Sequence, residues 1–374
     1  MACDAGVAGA AMKVEGRWRR SIELAEDGAT VRVLDQTQLP YHIAWLRLDD
    51  VAQAARAIRD MHVRGAPLIG ATAAYGVALA MRADPSDAGL AAACALLQAT
   101  RPTAINLRWA LDTMRAGLAG VAPAERAAVA YAAAAKICDD DVAMCEAIGR
   151  HGLAVIRAAA ERAGDRPVQV LTHCNAGWLA TVDWGTAIAP IYQAHEAGLR
   201  VHVWVDETRP RNQGLLTAWE LAQHGVPHTV IADNQGGHLM QRGQVDLCIV
   251  GTDRTTRNGD VCNKIGTYLK ALAAHDNGVA FYVALPSPSI DWTVGEPHEI
   301  PIEERHGDEV RYVRGRDAAG AATRVEIVAA GSAVANAAFD VTPRRLVTGL
   351  ITERGIAPAT HDGLRALFPD QAGA

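Results

Sequence analysis

Large aromatic side chains are scarce in this 374-residue chain: it has three phenylalanines, and aromatic residues together make up 5%. A core built mainly on rings is therefore excluded. Half of the residues are nonetheless apolar, and many are alanines, so the apolar mass suits closely packed helices. Basic charge is not in excess: 36 lysines and arginines stand against 42 acidic residues, a formal net charge of −6. That argues against a general nucleic-acid binder, while an anionic ligand needs only local positive charge. The seven cysteines (Cys3, Cys94, Cys138, Cys145, Cys174, Cys248 and Cys262) are odd in number and scattered, with no C-x-x-C. This pattern excludes a disulfide framework and fits a reducing cytoplasm. No apolar run reads as membrane-spanning. The start, MACDAGVAGAAMKVEG, lacks a basic region followed by a leucine-rich one, so no signal peptide is expected. Met12 offers a second start, which would make the residues before it an extension. No G-x-G-x-x-G, Walker loop, H-E-x-x-H or zinc-spaced Cys/His cluster is present, so neither a cofactor nor a metal is expected.

What is present divides near residue 163. Short strands with turns fill residues 17–49, and helices are expected over 50–61, 67–81, 87–99, 104–119 and 123–162. Pro67 suits the first turn of its helix. AGDRP (163–167) is the linker signal, and after it the period changes. VQVLTHC, LRVHVWVDE, PHTVIADN, VDLCIVGTD and VAFYVALPS are apolar, β-branched runs separated by helical segments such as GTAIAPIYQAHEAG and QGLLTAWELAQHG. Such alternation predicts a doubly wound parallel sheet. The chain thus reads as α/β: a mostly helical domain with a small β element (1–162), then a Rossmann-like domain (163–374). Residues 303–322 read as polar loops or a hairpin, and VEIVAAGSAVA as a strand or core segment. FDVTPRRLVTGLITERG reads as a final helix capped by Thr342.

Parallel strands carry their chemistry at one edge, at their carboxyl ends. The expected ends hold Thr172-His173-Cys174, Asp206-Glu207, Asp233-Asn234, Asp253 and Ser287. A lone strand-end cysteine is usually a packed core thiol, and a lone Asp before a helix is usually a cap or turn former. Convergence of several on one edge favours function. A helix is expected to open near Asn263 and Lys264, where its amino terminus and a cation would hold a phosphate. Arg64 in RGAP and Arg101 in RPTAINL stand at helix entrances, an anion-binding arrangement, although solvated arginines are as common there. VDETRPRNQG brings Arg209, Arg211 and Gln213 close after a strand end. An acid beside an anion cradle points to an enzyme acting on a small phosphorylated molecule.

Six segments, RGAPLIG (64–70), RPTAINL (101–107), LTHCNAG (171–177), VDETRPRNQG (205–214), GTDRTTRNGDVCNKIGT (251–267) and FDVTP (339–343), together resemble the methylthioribose-1-phosphate isomerases of methionine salvage. That family is grouped with regulatory subunits of a translation-initiation exchange factor and with ribose-1,5-bisphosphate isomerase. By position, the resemblance implies that Cys174 and Asp253 are the catalytic pair. Arg64, Gly65, Ala66, Arg101, Gln213, Asn263 and Lys264 would be the substrate-binding set. It also implies a homodimer acting on a sugar phosphate without cofactor, nucleic acid or membrane. Trp178 and Thr252 depart from the family, which often has Ala and GAD there. The motifs leave open the substituent at sugar C5, and whether hydrogen moves as a proton through an enol phosphate or as a hydride. An isomerase of 5-deoxyribose 1-phosphate or ribose 1,5-bisphosphate, and a non-catalytic regulatory subunit, are the other readings.

Overall fold

The computed structural model describes residues 13–371. The choice between Met1 and Met12, the signal-peptide expectation and Cys3 fall outside the described residues. A two-stranded ribbon, Lys13–Val14 with Arg17–Trp18, precedes a three-stranded antiparallel sheet, Ile22–Leu24, Val31–Leu34 and Trp45–Leu48. Five helices follow close to where the sequence put them: α1 Val51–Arg59, α2 Ala66–Ala83, α3 Asp87–Gln98, α4 Ile105–Leu118 and α5 Pro123–Ala163. Local chemistry sets their starts. The Asp50 and Ser86 side chains accept from the N–H groups of Gln53 and Gly89, satisfying donors that a helix start leaves unpaired. Proline stands in the first turn of α2 and α5. Among the described residues, α2 alone has the length and apolarity of a membrane span. It is a core helix instead: 15 of its residues are buried against α1, α3, α4 and α5.

The second half holds six parallel strands: β1 Val168–Thr172, β2 Val201–Asp206, β3 His228–Ile231, β4 Leu247–Val250, β5 Ala280–Ala284 and β6 Gly349–Thr352. Their order across the sheet is 3-2-1-4-5-6, with Gly355–Ala357 added antiparallel beyond β6. This is the doubly wound order expected. The chain winds outward from β1 through β3, then returns to β4 on the other side of β1. The loops after β1 and β4 therefore part and leave a crevice between them, the usual ligand position in such sheets.

Two expectations are overturned, each by pairing between distant segments. Asn263 and Lys264 do not open a helix. They lie in strand Val261–Lys264, which pairs with Arg254–Thr256 on one side and Phe339–Thr342 on the other; the helix begins at Thr267. FDVTPRRLVTGLITERG is not a helix either. It gives strand Phe339–Thr342, a single helical turn at Arg344–Leu346, and then β6. Leu350 and Ile351 are fully buried beside β5, and that burial outweighs local helix preference. The final helix is His361–Leu367, capped by Thr360. VEIVAAGSAVA supplies the end of a strand and no core: Val325 and Glu326 close strand Ala322–Glu326, which forms a hairpin with Tyr312–Arg316, and Val325 and Ile327 are 50% and 54% exposed.

Helix α5 is 41 residues long. Ala130, Ala134, Ile137 and Cys138 pack in the helical core, while Cys145, Ile148, Ile156 and Ala159 pack under the parallel sheet. One helix thus belongs to both cores, and AGDRP is where it stops, not a free linker.

Candidate active site

Beyond β1 the chain turns sharply at Cys174. Its φ of 67° is a left-handed backbone conformation, uncommon outside glycine and a recurrent mark of functional sites. Two threonines hold it there. Thr208 Oγ1 accepts from the Cys174 N–H at 2.8 Å, and Thr217 Oγ1 donates to the Cys174 carbonyl at 2.8 Å. Burial pushes the thiol pKa up, while Arg64 and Lys264 pull it back. The net shift is upward, so the group is a neutral thiol near pH 7.

Beyond β4, Asp253 is anchored through its backbone N–H to the Cys262 carbonyl at 3.0 Å. Its carboxyl takes part in no hydrogen bond among the described residues, so both oxygens are left for a ligand. Burial raises its pKa, opposed by Lys264, Arg101 and Arg64. Cys174 and Asp253 line one cleft together with Arg64, Gly65, Ala66, Arg101, Gln213 and Lys264. Asn263 lines an adjoining pocket that shares the Arg64, Gly65, Ala66, Cys174 and Asp253 wall of this cleft. The nine positions that the resemblance assigned to catalysis and substrate binding therefore lie around this cleft and the pocket adjoining it.

Each arrives by a different route. Gly65 precedes α2 with φ 93°, and a Cβ there would collide with the Ala180 backbone. Only glycine lets the α2 amino terminus, with its unpaired N–H groups, approach the loop after β1 this closely. Arg64 reaches the same loop, donating to Asn175 Oδ1 at 2.5 Å and to the Asn175 carbonyl at 2.8 Å. Arg101 pairs with Glu303 at 2.9 Å and leaves its buried Nε without a partner. Gln213, at the start of helix Gly214–Gln223, has a buried and unpartnered Oε1. Orphaned buried polar atoms are costly, and two of them on one cleft are what a polar ligand would relieve. Lys264 donates to the Ala338 carbonyl at 2.8 Å and lies over the Phe339 ring. Asn263 Nδ2 donates to Thr267 Oγ1 at 3.1 Å.

Sequence reasoning missed an ion-pair chain along the rim. Arg101, Glu303, Arg305, Glu309 and Arg211 are linked in that order at 2.9–3.1 Å. Burial would raise the Glu309 carboxyl, but Arg305 and Arg211 hold it down at about 2. Arg305 itself lines the cleft. Its only signal was a charge-rich stretch that reads as solvated loop. His173, Asp206 and Asp233 come close enough to suggest a metal site. However, both His173 nitrogens are engaged, by Asp206 Oδ2 and the Ile265 carbonyl at 2.9 Å each. The Lys270 ammonium lies 3.2 Å from Asp206, so a fixed cation already occupies the position.

The model of the Initiation factor 2 subunit family matches residues 62–359. The chain belongs to this family. A methylthioribose-1-phosphate isomerase of Rhodospirillum rubrum is 63% identical over 368 residues, spanning 96% of this chain and 94% of that protein. Among solved structures of the family, a 5-methylthioribose 1-phosphate isomerase from Pyrococcus horikoshii superimposes with a TM-score of 0.81 at 36% identity. It covers 94% of this chain and 96% of its own. Another is described as the delta subunit of translation initiation factor eIF-2B from A. fulgidus: TM-score 0.77, 37% identity, covering 94% of this chain and 99% of its own. The family therefore includes members named as catalysts and members named as initiation-factor subunits, and the site must separate them.

Proposed function

We propose that this protein is an aldose–ketose isomerase that converts 5-methylthioribose 1-phosphate to 5-methylthioribulose 1-phosphate. The observation that carries the reading is the pairing of Cys174 with an uncommitted Asp253 across a cleft rich in cations. A regulatory subunit has no use for an unpaired acid and a strained cysteine at the switch point of its sheet. The high identity to relatives named for this reaction supports the same substrate.

The chemistry follows from the substrate. Phosphate on the anomeric oxygen prevents the ring from opening spontaneously to an aldehyde. Asp253, protonated, donates to the ring oxygen as the bond from C1 to that oxygen breaks. Hydrogen then passes from C2 to C1, and the C2 hydroxyl gives up its proton to restore the acid, leaving a ketone at C2. A base that removes the C2 proton would need a thiolate, and burial holds Cys174 neutral. The site thus favours direct hydride transfer, with Cys174 walling the reacting carbons and relaying the hydroxyl proton. Turnover in D2O tests this: no solvent deuterium at C1 is expected, and its incorporation would establish the enol phosphate route.

The cleft takes Arg64, Gly65, Ala66 and Arg101 from residues 1–162 and the remaining five from residues 163–374. We assign it as an interdomain site, a common place for small ligands. Arg101→Ala and Lys264→Ala are each expected to raise KM by about ten- to a hundred-fold, the worth of one charge-assisted phosphate contact. Circular dichroism should show both variants folded. Normal KM values would remove these residues from the phosphate site. The assay that tests the function offers purified protein 5-methylthioribose 1-phosphate, 5-deoxyribose 1-phosphate and ribose 1,5-bisphosphate, and follows ketose formation. Turnover of none of them would leave the regulatory reading. We also assign a cytoplasmic homodimer. The free, buried state of the six described cysteines supports the compartment, and sedimentation of the native protein tests the dimer.

A further inference from the structure

Helix Gly214–Gln223, with Gln213 at its N-cap, carries a buried polar stripe. Gln213, Thr217 and Glu220 recur at helical spacing and are 3%, 0% and 0% exposed. Polar residues at such spacing normally mark a solvent face. Here the stripe faces the loop after β1. Gln213 borders the cleft; Thr217 and Glu220 lie behind it.

Glu220 is enclosed by donors. Oε1 accepts from Asn175 Nδ2 at 2.8 Å and from the Leu179 N–H at 3.1 Å. Oε2 accepts from the Trp178 N–H at 3.0 Å and from the Tyr192 hydroxyl at 2.8 Å. A Cβ on Gly177 would overlap Oε2, so the loop closes tightly around the carboxylate. Burial raises this carboxyl against the opposing bonds from Asn175, Tyr192 and Leu179, and the balance stands at about 7. Asn175 Nδ2 lies also 3.2 Å from Thr217 Oγ1. An amide has one donor end and one acceptor end. With its nitrogen committed to Glu220, Asn175 must turn its oxygen the other way, and that oxygen receives Arg64 Nη1.

We infer that Glu220 is a positioning residue for substrate binding: through Asn175 it aims the Arg64 guanidinium into the cleft, without touching the cleft itself. The inference rests on the reading of Arg64 as a ligand of the sugar phosphate. Ordinary packing would require a carboxylate of no particular orientation. Fixing an amide in one sense requires an acceptor at this point.

Glu220→Gln keeps the shape but puts an amide nitrogen against neighbours that are themselves donors. Asn175 is expected to turn or shift, and Arg64 to lose its side-chain acceptor while keeping the Asn175 carbonyl. KM for 5-methylthioribose 1-phosphate should rise about ten-fold, with a smaller change in kcat, as for loss of ground-state binding. The decisive measurement is a double-mutant cycle with Arg64→Ala. If Glu220 acts through Arg64, Glu220→Gln adds less than about two-fold in that background. Asn175→Ala gives a second cycle with the same expectation. It removes the side-chain acceptor of Arg64, keeping only the backbone carbonyl, and leaves Glu220 its bonds from Trp178, Leu179 and Tyr192, so it decides the matter if Glu220→Gln fails to fold. Effects that multiply with Arg64→Ala would make the role purely structural and overturn the inference. A normal KM for Arg64→Ala alone would overturn the reading on which it rests.

Discussion

Asp253→Asn loses turnover by about 10²- to 10⁴-fold, the usual worth of a positioned general acid, while the dissociation constant for substrate stays within a few-fold. The amide is nearly isosteric. It leaves no partner orphaned, because the carboxyl makes no hydrogen bond to the described protein. What it lacks is an ionisable proton to give to the ring oxygen. The pH dependence has a definite sign. Burial raises the Asp253 pKa, so the acid form persists above the ordinary carboxyl range. Activity should fall as pH rises through that raised pKa, and the limb should vanish in the variant. Steady-state kinetics across pH, with calorimetric titration of substrate, provide the check. Near-normal turnover of the variant would sink the acid assignment.

Cys174→Ala is expected to cost a similar 10²- to 10⁴-fold in kcat through loss of the proton relay. Cys94→Ala and Cys248→Ala serve as controls. Both controls are fully buried and remove one sulfur from a core, which lowers stability modestly without touching the cleft. Alkylation rates add an independent reading: substrate should protect Cys174 and leave the others unaffected. Equal kinetic sensitivity at all three positions would reduce Cys174 to a packing residue.

The parts of this architecture that were legible in the sequence are those fixed locally. Helices α1, α2, α3 and α5 begin at Asp50, at Ser86 and at prolines whose chemistry is complete within four residues. The β1 and β4 ends were legible because apolar runs alternating with helical segments force parallel strands, and parallel strands share an edge. A shared edge puts Cys174 and Asp253 on the same side of the sheet. What failed depended on distant partners. Lys264 pairs with Phe339 and Asn263 with Asp340, and four residues of a strand carry no mark of which segment they will meet. The phosphate-binding assignment for Lys264 had been tied to a helix amino terminus. In the structure a strand delivers the ammonium to the same cleft. Thr217 and Glu220 were illegible for the opposite reason: their local pattern was clear and pointed outward. Only the donors of the loop after β1 explain why a carboxylate is enclosed there.

Helix α5 has a consequence for how the protein comes apart. At 1.5 Å per residue it runs roughly 60 Å, and neither core is complete without its share of it. Melting one core would strip the support from half of a continuous helix and expose the end still packed in the other. The two halves are therefore expected to denature as one cooperative unit, giving a single calorimetric transition whose van't Hoff and calorimetric enthalpies agree. Two resolved peaks would contradict this. For the same reason a fragment ending at Arg162 would carry Cys145, Ile148, Ile156 and Ala159 into water as a bare apolar stripe. The halves are distinct in architecture but not separable as modules, and inheritance or engineering must exchange them together.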